Sequence, residues 1–589
     1  MTRGWTLRAF ALLALAIASL AALAACTSED PTATPTATSA PQMEATEEPA
    51  MEEKDDSMME EEKDDSAMEE EKDDSMMMEK PEGEYGGTLA YWIRSDPPGW
   101  DPWGRTRFWD PTRKIAELVF NPLYSPAPQL GDSCEIDLDP EIAESWEYVE
   151  PTILEFKLRE GIQWHDKAPL NGRELTADDV VYTYNERFAK GLAGQAYVGQ
   201  VFFDRAEAVD DHTVRIHLKQ PFDFVRGVTS GNRQGWIVAE EASGEEALTD
   251  PNLSWVGTGP FMFSEHETGT KVVFERNPNY FKEGLPYADT VEAHIIPDAA
   301  TRIASLRSGL INVFPAAGPR VQEEIQRTNP DFFVKSCPSL FHLGIRMRLD
   351  KAPWNDVRVR RAVSMALDRQ AIIDTALRGN GEIVLQGWPL DPETLQLEDY
   401  PEELAQYQQY NPDKAKELLA DAGFPDGFST TVVWTPAYGD PWQGVAEIML
   451  TMLRAVGIDA QFNIQEYGPF LGMGSQQTWD DLYFGWNNSF DFNDLASTYY
   501  WSGQRPANGL TLAPDATLDG LVADLWASTP ETRPGVLTQL QHYVASAQYR
   551  ITSPVWGNGI VARPEVKNVG WRGTNKMYHQ IFENAWLEQ

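Results

Sequence analysis

Between Thr27 and Tyr85 the chain carries 22 acidic residues and 4 lysines, and no aliphatic side chain larger than alanine apart from methionine. Such a stretch has too little apolar surface to offset the entropy lost on ordering, so no core can include it. The unit EEKDDS recurs from Glu52, Glu61 and Glu70, a period too short for a solenoid, and reads as low complexity. The span is expected to be a disordered acidic tether, stretched by its own charge. Its methionines are soft ligands and its carboxylates hard ones, but no ligand set has a defined spacing, and no metal site is assigned. The fold must come from the roughly 500 residues beyond, too many for one ordinary core, so at least two lobes are expected.

The tether is preceded by Arg3, Arg8 and an uncharged Ala/Leu-rich run over 9–25, slightly short for a bilayer span and laid out like a secretory signal. Its end, Leu23-Ala-Ala-Cys26, resembles the lipobox of bacterial lipoproteins, which implies lipidation of Cys26 after cleavage. A multi-chain lipid is a stable anchor where a single acyl chain is marginal. The body is therefore expected outside the cytoplasm, on the outer face of the cell membrane.

The net charge of −43 argues against nucleic acid as a partner, since phosphate binding rests on clustered Lys and Arg. Beyond Cys26 only Cys134 and Cys337 remain. They read most simply as two buried small hydrophobes, with one disulfide the alternative in an oxidising compartment.

From Gly86 both structural periodicities are present. Alternation predicts strands at Leu154 to Leu158, Thr213 to Leu218 and Ala460 to Ile464. Helical spacing joins Val359, Ala362, Val363, Ala366 and Leu367, and again Val445, Ile448, Met449, Met452, Leu453 and Val456 before Gly457. Asn411-Pro412 predicts a capped helix start with Gly423 as its stop. Asp356-Val-Arg-Val-Arg360 predicts another helix start, with its arginines on the wet face. Gly257-Thr-Gly-Pro260 lacks the Lys-Ser/Thr of a phosphate loop and reads as a turn entering a strand. His165-Asp166 is not assigned a catalytic role, because adjacent residues point in different directions.

Several segments taken together resemble a known family. They are Gly86-Gly-Thr-Leu89, Ser95-Asp-Pro-Pro-Gly-Trp-Asp-Pro102, Pro140-Glu-Ile-Ala-Glu-Ser-Trp146, Phe156-Lys-Leu-Arg-Glu-Gly161 with Trp164-His-Asp166, and Leu175-Thr-Ala-Asp-Asp-Val180. Gly257-Thr-Gly-Pro-Phe261, Arg276-Asn-Pro-Asn-Tyr280, Asp356 to Ala362 with Ala366-Leu-Asp-Arg369, and Asn411-Pro-Asp-Lys-Ala415 continue the series. In this order they resemble the extracytoplasmic solute-binding proteins of peptide/nickel-type ABC importers, the dipeptide and oligopeptide binders. The resemblance implies an α/β fold: a two-lobed periplasmic-binding-protein-like clamshell of class II type, with mixed sheets and an extra subdomain in lobe I. The expected division is 1–25 signal peptide, 26–85 lipidated tether, 86–293 lobe I, 294–552 lobe II, and 553–589 return to lobe I. Two crossing segments then act as a hinge.

In peptide binders of this family a segment resembling Trp-x-Ala-Asp-Tyr-x-Asp-Pro supplies the aspartate for the peptide's α-ammonium. The matching region here is Gly485-Trp-Asn-Asn-Ser-Phe-Asp-Phe-Asn-Asp-Leu495, with two extra residues after Trp486 and Leu495 in place of proline. The resemblance thus implies Asp491 and Asp494 as ligand-binding carboxylates, while turn residues are the plainer reading of such a cluster. Trp486 and Trp501 are the rings expected to face the cleft, among Trp434, Trp442 and Trp479 and beside Tyr499 and Tyr500.

The expected function is capture of a peptide-like ligand and its delivery to ABC permease subunits, by a lipid-anchored monomer with no cofactor, no metal and no catalytic residue. An oligosaccharide ligand is the alternative within the family. A secreted glycoside hydrolase, working through paired carboxylates, is the alternative of another class. His-Glu-x-x-His, Gly-x-Ser-x-Gly and Cys-x-x-Cys are all absent from the chain.

Overall fold

The computed structural model describes residues 83–97, 99–102, 110–126, 138–189, 202–222, 235–338, 342–388, 393–487, 492–502, 513–529, 531–570 and 582–589. The signal segment, Cys26, the acidic stretch to 82, Cys134 and Asp491 lie outside the described residues.

In a first sheet Thr88–Ile93 runs parallel to Thr290–Ile295, and Lys271–Arg276 and Phe261–Glu267 extend it antiparallel. Asn312 sews the next strand, Val313–Ala317, to its edge. Its backbone N–H donates to Ala90 O at 2.9 Å, and its side-chain oxygen accepts from Ala90 N at 2.8 Å. Val313–Ala317 and Phe333–Pro338 flank the return strand Val555–Ala562, which is buried along its whole length as a central strand should be. A five-stranded mixed sheet holds, in order, Ile458–Ile464, Phe428–Trp434, Leu482–Asn487, His342–Met347 and Ile551–Thr552. The extra subdomain is an antiparallel sheet of Ala143–Glu150, Ile153–Leu158, Thr213–Leu218 and Phe203–Asp210. Its exposed strand Ala143–Glu150 carries Glu144, Glu147 and Glu150, charges that discourage edge pairing. This is the mixed-sheet α/β architecture that the resemblance implied.

The division expected at 293 falls inside the strand Thr290–Ile295, and the strands at 313–317 and 333–338 pair with the return segment. The chain leaves this group of strands after Phe333–Pro338 and enters the five-stranded sheet at His342. It comes back between Ile551–Thr552 and Val555–Ala562. The passages run side by side: Ser553 N donates to Leu343 O at 2.8 Å, and Leu343 N donates to Ser553 Oγ at 3.0 Å.

Local signals behave as their chemistry demands. Asn411 caps Pro412–Asp421 by accepting from Lys414 N at 3.0 Å, and Gly423 follows with φ +97°. Trp442–Ala455 ends before Gly457, with φ +99°. Asp356 caps Val357–Met365 by accepting from Arg358 N. Arg360, expected on the wet face of that helix, is buried: its guanidinium donates to the carbonyls of Ala547, Trp354 and Asn355, which fixes the helix end against the chain beyond 546. Cys337 is disulfide-bonded, its partner lying outside the described residues. The simpler reading as an isolated buried thiol is therefore corrected; burial holds for Cys337, but a covalent link comes with it.

Most of the family-like segments prove structural, and several meet at one place. His165 is buried; its Nδ1 accepts from Gly257 N at 3.2 Å and its Nε2–H donates to Gly259 O at 2.9 Å. Asn277 donates to the same carbonyl, and Thr258 Oγ1 donates to Asn121 Oδ1. Asn121 and Ser125 donate to the buried Glu141. Lys282 Nζ then bridges Glu141 at 3.1 Å and Glu583 at 3.0 Å, and Tyr280 donates to Glu583. Both ring nitrogens of His165 are committed to the neutral Nε2–H tautomer. Burial, reinforced by the Lys167 ammonium, pushes its pKa down to about 4 against the raising effect of the Gly259 bond. The unfolded chain binds this proton near pH 6.5 and the native state does not, so stability is full above that pH and falls as pH drops toward 4. The loss is expected to reach roughly 2 kcal/mol at pH 5. Urea titrations at pH 7 and pH 5 check it, and His165→Asn should remove most of the difference.

Candidate functional site

The parallel strands Phe428–Trp434 and Leu482–Asn487 end at the same edge of the five-stranded sheet. Thr88–Ile93 and Thr290–Ile295 likewise end together in the first sheet. Ligands of open α/β sheets sit beyond the carboxyl ends of parallel strands, and here the two sets of ends face each other. Arg94, just after Thr88–Ile93, donates from Nη1 to Ala437 O at 3.0 Å, in the turn that follows Phe428–Trp434. Arg320 reaches Asp440 at 3.2 Å, and Trp442 meets Trp556 of the return strand edge-on at 4.6 Å.

Trp486 lies in the strand Leu482–Asn487, paired in register with Leu343, and Asp494 lies in the short helix Phe492–Leu495; their side chains are outside the described residues. In sequence, Asp491 follows the carboxyl end of the strand Leu482–Asn487. Trp501 is half-buried, its ring edge-on to Trp526 at 5.5 Å. Trp526 in turn packs on Phe202 of the subdomain at 4.7 Å, so Trp501 belongs to an aromatic bridge between the two halves of the chain. Trp434 and Trp479 are core.

Residues that the sequence did not single out complete this edge. Tyr438 sits among Trp442, Tyr467 and Phe470, with ring centroids 5.3 to 5.8 Å away. Burial, with the neighbouring Tyr483 and Tyr467, raises its phenol pKa well above the ordinary value. Arg346 pairs in register with Tyr483 and lies over its ring at 5.3 Å. That ring also covers Gly485, where a Cβ would stand 2.5 Å from it. No single segment carries this cluster, so only pairing register brings it together. Among the described residues no group of three or more His, Cys, Asp or Glu is placed to hold a metal, and no helix is long and apolar enough to cross a membrane.

The family model described as bacterial extracellular solute-binding proteins, family 5, middle, matches residues 137–509. The di/tripeptide-binding protein 1 of Pseudomonas aeruginosa (strain UCBPP-PA14) is 26% identical over 495 residues, covering 80% of this chain and 88% of its own length. The oligopeptide-binding protein AppA of Bacillus subtilis (strain 168) is 27% identical over 431 residues, covering 69% and 75%. Among solved structures, the ABC transporter-associated periplasmic binding protein DppA from Helicobacter pylori, in complex with peptide STSA, shares the fold with a TM-score of 0.71. It is 21% identical and covers 86% of this chain and 99% of its own. The binding protein AgaA of A. tumefaciens R10, in complex with agropinic acid, gives 0.69 at 22% identity, covering 85% and 99%. With most of its length matched by the family model and its sheets arranged as in these structures, the chain belongs to the family 5 bacterial extracellular solute-binding proteins.

Proposed function

We propose that the protein captures a peptide-like ligand between two lobes outside the cytoplasm and delivers it to the permease subunits of an ABC importer, without chemical conversion. The observation that carries this is the meeting of two sets of carboxyl strand ends across a double chain passage, in a chain whose family is solute-binding. The division that suits this topology gives one lobe 86–338 and 553–589, and the other 342–552. The relatives named for di/tripeptides and oligopeptides favour peptide over sugar as cargo. A lipid on Cys26, with the acidic stretch as leash, would hold the protein at the membrane, and the disulfide at Cys337 suits an oxidising compartment.

Asp491 is the proposed partner of the ligand's ammonium, with Asp494, Trp486 and Trp501 beside it. Isothermal titration with a short peptide and its N-acetylated form tests this. Asp491→Ala is expected to cost the free-amine peptide about 2 to 5 kcal/mol and the acetylated one little. Equal loss for both forms, or none, removes Asp491 from the site. Turnover of the bound peptide by the pure protein would overturn the reading as a carrier.

A further inference from the structure

Beside the double chain passage the two halves meet through backbone: Gly381–Glu382 pairs with Val555–Trp556, and Gly557 N donates to Asn380 Oδ1 at 3.2 Å. A second junction is made by aromatic side chains. Phe202 of the subdomain and Trp526 of the helix Ala516–Trp526 meet edge-on, with ring centroids 4.7 Å apart and planes at 87°. That is a favourable geometry for two aromatic rings. Both residues are buried, Phe202 fully and Trp526 to 7% exposure. Trp526 Nε1 has no hydrogen-bond partner, so the two rings can part without breaking a hydrogen bond of their own.

Each side of this junction is braced within its own half. Phe202 stacks on Phe222 with centroids 4.0 Å apart, its carbonyl accepts from Lys219 N at 2.7 Å, and Phe222 O accepts from the Tyr148 hydroxyl at 2.8 Å. On the other side Asp515 caps the helix that ends in Trp526. Asp519 of the same helix accepts from Ser502 N at 2.8 Å, next to Trp501, which lies edge-on to Trp526. Rings braced in this way part as units with their halves. Opening of the lobes returns both to water, and burial of rings of this size is worth a factor of roughly 10 to 100 in the ratio of closed to open molecules.

We infer that Phe202 and Trp526 form a clasp that draws the lobes shut without help from cargo, so that entry of the ligand is gated by opening of the clasp. The contact is made by the protein's own side chains, and it lies against Trp501, one of the proposed ligand residues. This deepens the proposed function and rests on its two-lobe reading. A ligand that enters only the open fraction binds with an apparent Kd raised by the reciprocal of that fraction. Loosening the clasp is therefore expected to speed both entry and release.

The test is single-molecule energy transfer on the full chain, between dyes clicked onto azidophenylalanine placed at Val209 and Tyr410, and in a second pair at Leu253 and Ile464. All four are exposed, and each pair spans the proposed lobes. Without ligand the wild type should be mostly closed. Phe202→Ser should raise the ratio of open to closed molecules roughly 10-fold or more, and Phe202→Leu, which keeps apolar bulk, by less. Trp526→Leu attacks the clasp from the other lobe and should act in the same direction; circular dichroism checks that each variant is folded. A ligand-free wild type that is mostly open overturns the clasp without need of any variant, and leaves capture between two lobes intact. So does an unchanged ratio in folded Phe202→Ser and Trp526→Leu. One unvarying state in both dye pairs, shared by the wild type, all variants and protein saturated with trialanine, overturns the clasp and the two-lobe reading together.

Discussion

Gly257→Ala is expected to prevent stable folding. A Cβ at this position would stand 1.9 Å from Val119 O and 2.7 Å from its carbonyl carbon, against backbone rather than a side chain that can swing aside. The same carbonyl accepts the N–H of Gly259 at 2.8 Å, so it cannot turn away without stranding a buried donor. Gly257 also accepts from His165 N and donates to His165 Nδ1, so any displacement spreads into the buried imidazole. Overpacking of a side chain costs about 1 to 3 kcal/mol where neighbours can adapt, and here both are main chain, so about 4 kcal/mol or more is expected. Soluble yield and urea unfolding check it. Gly244→Ala is the control: nothing lies within 4 Å of its added methyl, and a change within about 0.5 kcal/mol is expected.

Lys282→Met is the second large effect. It removes the ammonium shared by Glu141 and Glu583, both buried carboxylates, and leaves their charges facing each other across the gap. Breaking a buried ion pair on one side costs about 3 to 5 kcal/mol, because the remaining charge keeps its desolvation penalty. Burial alone would lower the pKa of Lys282, but the attraction of Glu141 and Glu583 prevails and holds it above the ordinary lysine range. A raised folded pKa means that its contribution is complete below about pH 10.5 and is lost only as pH rises through the still higher native value. Thermal unfolding of Lys282→Met at neutral pH should therefore show the full loss. Adding Glu583→Gln should restore part of it, since one stranded charge is then gone; a double variant no more stable than the single would refute this account.

What could be read from the sequence is what is local. Pro412–Asp421, Val357–Met365 and Trp442–Ala455 carry caps, stops and apolar spacing within a dozen residues, and the alternating strands Thr213–Leu218 and Ile153–Leu158 carry theirs within six. Partnership across hundreds of residues is not local. Nothing near Val313 announces that it pairs with Ala562. Arg360 reads as a surface residue because helical spacing does not reveal that the carbonyls of a later helix end await it. Cys337 looks like a lone buried thiol for the same reason. At the candidate site, the segment Gly485 to Leu495 was visible as a resemblance, whereas Arg94, Tyr438 and Arg346 were not, since three separate parts of the chain bring them to that edge.

The reciprocal bonds between Ser553 and Leu343 have a mechanical consequence. The Ser553 amide donates to Leu343 O while the Leu343 amide donates to the Ser553 hydroxyl, so sliding one passage along the other would break both bonds. In the proposed capture, closure that keeps both bonds would be confined to bending of this paired passage, and the two lobes would return to the same register each time they shut.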